Sequence, residues 1–99
     1  MNKILLDMNC AEFQKDLFSI EKVEQRALLN TLKKIRELSF DELYKDKGIR
    51  WELITSKKTP KGHNIYSFRF SKKYRATAFR EGDYIVLLAL FPDHDSAYE

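Results

Sequence analysis

The sequence of 99 residues has few of the residues that mark fibrous, disulfide-rich or low-complexity proteins, with 3 Gly, 2 Pro and one cysteine, Cys10. One cysteine cannot form an internal disulfide or a cysteine-based metal cage. The longest apolar run, Tyr84–Phe91, is far shorter than the ~20 residues that a membrane-spanning helix needs. Near the amino end, Asp7 follows the run Ile4–Leu6 too soon for the apolar core of a signal peptide. We therefore expect a cytoplasmic protein whose residues 1–99 form one domain.

Charge is unevenly distributed along the chain. Residues 1–48 carry nine basic and nine acidic side chains, and residues 81–99 carry five acidic side chains with no Lys or Arg. Residues 49–80 have nine basic groups against one acid, Glu52, which gives this segment a net charge of +8. Aromatic residues are interleaved with these basic groups. The combination is typical of a surface that binds a polyanion, and the alternative is a solvated basic face balanced by the acidic carboxyl-terminal segment.

The apolar pattern changes its period near the middle of the chain. Helical spacing in the first half and alternation in the second predict an α+β fold, in which an N-terminal strand and a helical hairpin pack on one face of a curved, mostly antiparallel sheet. Ser39 and Glu42 form a Ser-x-x-Glu capping pattern before a third, short helix. The predicted segments are a strand at Lys3–Asp7, helices at Ala11–Ile20 (with Asn9 as N-cap), Glu21–Leu38 and from Ser39 to Gly48, a strand at Ile49–Ile54, a basic loop at Thr55–Asn64, and strands at Ile65–Phe70, Tyr74–Phe79 and Tyr84–Phe91.

The pairing of the strands Ile65–Phe70 and Tyr74–Phe79 decides where two arginines lie. A three-residue turn that sets Phe70 opposite Tyr74 makes one face apolar and places Arg69 opposite Arg75 on the other face. A two-residue turn would bury the charge of Arg75 at prohibitive cost, so the hydrophobic pattern selects the first register. Like charges that face each other destabilise a sheet, which favours an anion bound between them. The alternative is that each arginine pairs with an acid of the carboxyl-terminal segment.

The segment from Tyr66 to Phe79, YSFRFSKKYRATAF, resembles one in the RelE/ParE superfamily of type II toxin–antitoxin toxins, where an aromatic residue and an arginine precede a turn and a second arginine starts the next strand. The predicted order of elements is also similar to that family's. The resemblance implies a toxin that a cognate antitoxin restrains in a hetero-oligomeric complex.

Two branches of this family imply different activities. The RelE-like branch, which we favour, implies a ribosome-dependent endoribonuclease (an mRNA interferase) that inhibits translation and arrests growth. The ParE-like branch implies a non-enzymatic inhibitor of DNA gyrase that binds through the helical hairpin. A nucleic-acid-binding module without cleavage activity is a third hypothesis.

The resemblance also implies roles for individual residues. Arg75 is similar in position to the catalytic strand arginine of the family, and Arg69 to its companion on the preceding strand. His94 and Tyr98 are the candidates for the terminal acid–base residue. The lysines expected to bind RNA phosphates are Lys57, Lys58, Lys61, Lys72 and Lys73.

These residue types suit RNA cleavage without a metal or other cofactor. Such cleavage uses the ribose 2′-hydroxyl as nucleophile and needs a base, a cation on the phosphorane oxygens and an acid for the departing 5′-oxygen. A guanidinium suits the cation role because it binds phosphate through two parallel hydrogen bonds. Glu52 is either the base or the partner in a structural ion pair. His63 and His94 have no recognised spacing of metal ligands.

Overall fold

The structure, a computed structural model, describes residues 3–93, which form three helices and a five-stranded mixed sheet. The strand order is β1-β5-β4-β3-β2, in which β1 runs parallel to β5 and all other neighbours are antiparallel. The predicted α+β architecture is confirmed. No helix within residues 3–93 is long and apolar enough to cross a membrane. The elements are β1 (Leu5–Asp7), α1 (Ala11–Ser19), α2 (Lys22–Arg36), α3 (Phe40–Lys45), β2 (Glu52–Lys58), β3 (Asn64–Arg69), β4 (Tyr74–Glu81) and β5 (Tyr84–Pro92).

The hairpin of β3 and β4 has the register that the apolar pattern predicted. Phe68 pairs with Ala76, and Arg69 pairs with Arg75. Phe68 and Ala76 are fully buried against the helices, on what we call the helix face of the sheet. Because side chains alternate along a strand, Arg69 and Arg75 project from the opposite side, which we call the arginine face.

The helices cover the helix face through apolar stripes. In α2 the buried side chains recur three or four residues apart, as expected for a helix that packs one side against a core. The capping pattern of α3 is confirmed, since the Glu42 backbone N–H donates to Ser39 Oγ at 3.2 Å and the Ser39 backbone N–H donates to Glu42 Oε1 at 2.8 Å. The buried apolar residues of the three helices are Phe13, Leu28, Leu32, Ile35, Phe40 and Leu43.

Three local predictions were wrong, the first being the start of the strand predicted at Ile49–Ile54, because β2 begins only at Glu52. Asn9 does not cap α1, because its backbone and side-chain N–H groups both donate to Asp7 Oδ1 at 3.0 Å, and Cys10 occupies the N-cap position. The segment from Thr55 to Lys58 belongs to β2 and not to the basic loop. It escaped prediction because its pairing is irregular: Ile54 pairs with Ile65, whereas the next pair is Lys58 with Asn64, so the alternation of side chains is interrupted.

The outer edge of β5 is covered by α1 where the short strand β1 ends. β1 pairs only with Tyr84–Val86, and no other strand of residues 3–93 lies along the following part of that edge. There the Leu90 backbone N–H donates to Asp16 Oδ2 at 2.9 Å, and Cys10 Sγ donates to the Leu88 carbonyl at 3.5 Å. Side chains of the helix thus satisfy backbone groups that would otherwise form an open sheet edge.

Asp46 fixes the turn that leads from α3 into β2. Its Oδ1 accepts hydrogen bonds from the backbone N–H groups of Gly48 and Ile49, both at 2.9 Å, and its Oδ2 lies 3.2 Å from Lys34 Nζ. The hydrogen bond from Ile49, with the nearby Lys34 ammonium, lowers the pKa of the Asp46 carboxyl below its usual 3.8. The turn delivers Ile49 and Trp51 into the core.

This geometry predicts a pH-dependent contribution to stability. A folded-state pKa below the unfolded value stabilises the fold above pH 3.8, and the stabilisation is lost as the pH falls through the lower folded value. Asp46→Asn should therefore reduce the free energy of unfolding at pH 7 by about 1 kcal/mol and have less effect at pH 3. Urea denaturation at both pH values measures this, with Asp83→Asn as the control. An equal effect at both pH values would contradict the assignment.

Candidate nucleic-acid interface

The Arg75 guanidinium lies across the arginine face and connects three strands. From its position on β4, Nη2 donates to Ser67 Oγ on β3 at 2.7 Å and to Glu52 Oε1 on β2 at 3.2 Å. Glu52 and Ser67 are register partners, so the two acceptors stand side by side. The Arg75 side chain is only 10% exposed. The guanidinium is therefore held in place by the sheet before any ligand binds.

The carboxylate of Glu52 is shared between two arginines. Its Oε1 contacts Arg75, and its Oε2 lies 3.8 Å from Arg50 Nε. The Glu52 side chain is 54% exposed, so water screens both ion pairs and each contributes little to stability. Glu52 itself can turn towards solvent, but the buried Arg75 guanidinium would then need another anion beside it.

Arg69 pairs with an acid in a more buried position. Its Nε and Nη2 donate to Asp93 Oδ2 at 3.1 and 2.8 Å, and the Asp93 side chain is 2% exposed. The Asp93 backbone N–H donates to the Lys73 carbonyl at 2.6 Å. Asp93 thereby joins the end of β5 to the turn between β3 and β4. The alternative that an acid of the carboxyl-terminal segment pairs with each arginine is confirmed for Arg69, whereas the acid beside Arg75 is Glu52.

The five lysines expected to bind phosphate lie in two separate groups. One group adjoins the start of β3 and the other occupies the turn after its end, so about 17 Å of strand separates them. All five side chains are exposed. The arginine pair lies at the end of β3 that leads into the turn. The structure thus brings the second group near the arginines and leaves the first group at a distance; the first group is Lys57, Lys58 and Lys61, and the second is Lys72 and Lys73.

The structure adds two cationic residues to the candidate site. A cavity of about 340 Å³ beside Arg69 is bordered by Lys34 from α2 and by Lys72 from the turn. Arg50 belongs to the site because its Nε lies 3.8 Å from Oε2 of Glu52, the carboxylate that also contacts Arg75. Sequence reasoning missed Lys34 because helical periodicity only assigns it to the outer side of α2, and it missed Arg50 because the pairing of β2 was not predicted in detail.

His94 and Tyr98, the candidate acid–base residues, lie outside the described residues. Glu52, the other candidate base, is engaged by Arg75 and Arg50. Within residues 3–93 no group of three or more His, Cys, Asp or Glu side chains is placed to hold a metal ion.

The fold is similar to that of a mutant toxin from Helicobacter pylori, whose crystal structure has copper bound. The two structures superpose with a TM-score of 0.54 at 18% sequence identity, over 93% of this chain and 97% of that chain. In sequence, neither a family model nor a curated protein matches this chain. A likeness at this identity establishes a shared fold, and the activity has to be argued from the side chains.

The burial of Asp93 predicts that its ion pair with Arg69 is more strongly coupled than an exposed ion pair of the same chain. A double-mutant cycle of Arg69→Ala and Asp93→Ala should give a coupling of about 2 kcal/mol, because the carboxylate of this pair is buried. The same cycle on Lys3 and Glu37, which are both well exposed, should give less than about 0.5 kcal/mol. Urea denaturation of the parent chain, the four single variants and the two double variants tests this. Equal couplings would show that Asp93 does not anchor Arg69.

Proposed function

We propose that the chain is the toxin of a type II toxin–antitoxin system, with residues 1–99 forming one RelE-like domain that cleaves ribosome-bound messenger RNA without a metal. The observation that carries the proposal is the cross-strand pair of Arg69 and Arg75 on the face of the sheet that the helices leave open. The excess of positive charge in residues 49–80 and the fold shared with a bacterial toxin support it.

In this proposal an RNA phosphate takes the position of the Glu52 carboxylate at Arg75. Glu52 Oε1 lies 3.2 Å from Arg75 Nη2, at a place that a phosphate oxygen can occupy with the same hydrogen bond. Because Arg75 is mostly shielded from water, its charge would act on the developing phosphorane more strongly than an exposed charge could. Arg69 lies opposite Arg75 in the register and stays paired with the Asp93 carboxylate, so it would contribute less positive charge beside the phosphate than Arg75 does.

The proposed chemistry is an internal transesterification of RNA. The ribose 2′-oxygen loses its proton to a base and forms a bond to the adjacent phosphorus, while the bond from phosphorus to the 5′-oxygen breaks. An acid gives its proton to the departing 5′-oxygen, and the products are a 2′,3′-cyclic phosphate and a 5′-hydroxyl. We assign the proton transfers to His94 and Tyr98, with Arg69 and Arg75 stabilising the negative charge.

We propose that a cognate antitoxin restrains the toxin by covering the arginine face with an acidic or amphipathic segment. The exposed lysines at the two ends of β3 would pair with such a segment, and its carboxylates would compete with RNA phosphates for the same cations. This partner would make the complex hetero-oligomeric.

A second candidate function is supported by a different surface. The helices α1 and α2 expose large apolar side chains, with Phe18 at 76%, Val23 at 65% and Leu29 at 55%. Such side chains favour contact with a protein. This surface supports a ParE-like inhibitor that binds gyrase through the helical hairpin, in which case the arginines would not be required for toxicity.

Arg75→Ala tests the proposal, with Arg80→Ala as the matched control. Both arginines are on β4, but Arg80 lies on the helix face, with its guanidinium 3.6 Å from the centroid of the Phe40 ring. Arg75→Ala should abolish growth arrest on pulsed expression and remove the new messenger RNA ends. Arg80→Ala should keep both effects. Thermal melting establishes that each variant is folded.

Three results would contradict the proposed nuclease function. If the folded Arg75→Ala variant arrests growth as strongly as the parent chain, the catalytic assignment is wrong. If transcripts remain intact while replication stops, the gyrase hypothesis replaces the nuclease. Salt-sensitive RNA binding without cleavage products would indicate a binding module.

Glu52→Gln separates the two roles considered for Glu52. If Glu52 only occupies the phosphate position, the substitution removes a competing charge, and the affinity for a single-stranded RNA oligonucleotide should rise about threefold with cleavage retained. Fluorescence anisotropy measures the affinity, and mapping of RNA ends measures cleavage. Loss of cleavage with unchanged or higher affinity would identify Glu52 as the base, and Glu37→Gln serves as the control for a change of surface charge.

A further inference from the structure

A second cavity opens on the arginine face at the end of β4 away from Arg75, and the proposed cleavage chemistry does not use it. Its volume is about 290 Å³. Its lining combines aromatic, apolar and charged groups, which is the composition typical of a site for a small planar ligand. The lining includes Thr59, Lys61, His63, Phe79, Glu81 and Leu88.

The rings of His63 and Phe79 form one wall of this cavity. Their centroids are 4.8 Å apart, with 36° between the ring planes. Thr59 Oγ1 accepts a hydrogen bond from the His63 backbone N–H at 3.0 Å and lies 3.3 Å from His63 Nδ1. The Thr59 hydroxyl therefore lies within hydrogen-bonding distance of both the backbone and the ring of His63. Thr59 thus holds the imidazole in place through contacts with the backbone and with the ring of His63.

The cavity and the arginine site lie on the same face of β4, at different points along the strand. Phe79 is four residues beyond Arg75, so both side chains project from the same face, about 13 Å apart along the strand. Thr77 lies between them on that face. A single RNA strand that lies along β4 with a phosphate at Arg75 would place a nearby base at the cavity.

We propose that the cavity is a base-binding site that takes a base of the RNA strand near the scissile phosphate. The inference rests on the proposed function, because it names the part of the substrate that this second site holds. His63 and Phe79 offer ring surfaces on which an unpaired base stacks, the usual way in which proteins hold single-stranded RNA. Lys61, on the same rim, supplies a cation for the phosphate of that nucleotide.

Glu81 gives the site a preference among bases. An ionised carboxylate only accepts hydrogen bonds, so Glu81 favours a base that carries an exocyclic amino group. Adenine has such a group and uracil has none. The site should therefore bind adenine in preference to uracil, and the messenger RNA ends should show the same bias at a fixed distance from the cut.

The experiment measures binding of the full chain to the single-stranded hexanucleotides oligo(A) and oligo(U) by fluorescence anisotropy. Phe79→Leu keeps an apolar side chain and removes the stacking ring, so the affinity for oligo(A) should fall about tenfold. Glu81→Gln should reduce the preference for oligo(A) over oligo(U) several-fold. Tyr44→Leu, which removes an exposed aromatic ring that stacks on Trp51 away from this cavity, should leave both affinities unchanged.

A measurement on the parent chain makes the result independent of how well the variants fold. The ring resonances of His63 and Phe79 should shift on addition of oligo(A), and those of Tyr44 should not. If they do not shift while the chain binds the RNA, or if Phe79→Leu binds and cuts with unchanged affinity and base bias, the base-binding site is refuted and the nuclease proposal remains. If the two rings shift but no RNA ends appear in cells, the base-binding site stands and the nuclease proposal fails.

Discussion

The register of β3 against β4 is the constraint on which the candidate site depends. Phe68 and Ala76 are register partners in the core, and the same register makes partners of Arg69 and Arg75 on the other face. A shift of β4 by one residue would exchange its two faces and bring the Arg75 guanidinium into the core, at a cost that no surface contact could offset. The burial of the apolar side chains thus holds together two cations that repel each other.

The repulsion between these cations is reduced by two carboxylates that differ in their exposure to solvent. Arg69 contacts a carboxylate that is almost completely buried, and this pair ties the end of β5 to the β3–β4 turn. Arg75 contacts a carboxylate that is more than half exposed and that a second arginine shares. Removing the buried acid would disturb the fold, whereas the exposed one can be displaced by another anion. The two arginines are therefore similar in position but differ in how readily they can exchange partners.

The parts of the fold that follow from local rules could be predicted from the sequence. Alternation of apolar residues set the β3–β4 register, and Ser39 with Glu42 marked the start of α3. An ion pair was one of the two roles predicted for Glu52, and the structure shows it. That its partner is Arg75 could not be predicted, because the contact depends on how β2 pairs with β3, and that pairing contains a shift which no periodic pattern reveals. The contact between His63 and Phe79 also depends on the path of a loop, although alternation alone places Phe79 on the arginine face.

The parallel pairing of β1 with β5 has a consequence for synthesis of the chain. β5 is the last described strand, and it lies between β1 and β4 in the sheet. A nascent chain that has emerged only as far as β4 lacks the strand that joins its first element to the rest, so its apolar surfaces have no complete core to enter. Folding to the native state must therefore wait until β5 has left the ribosome.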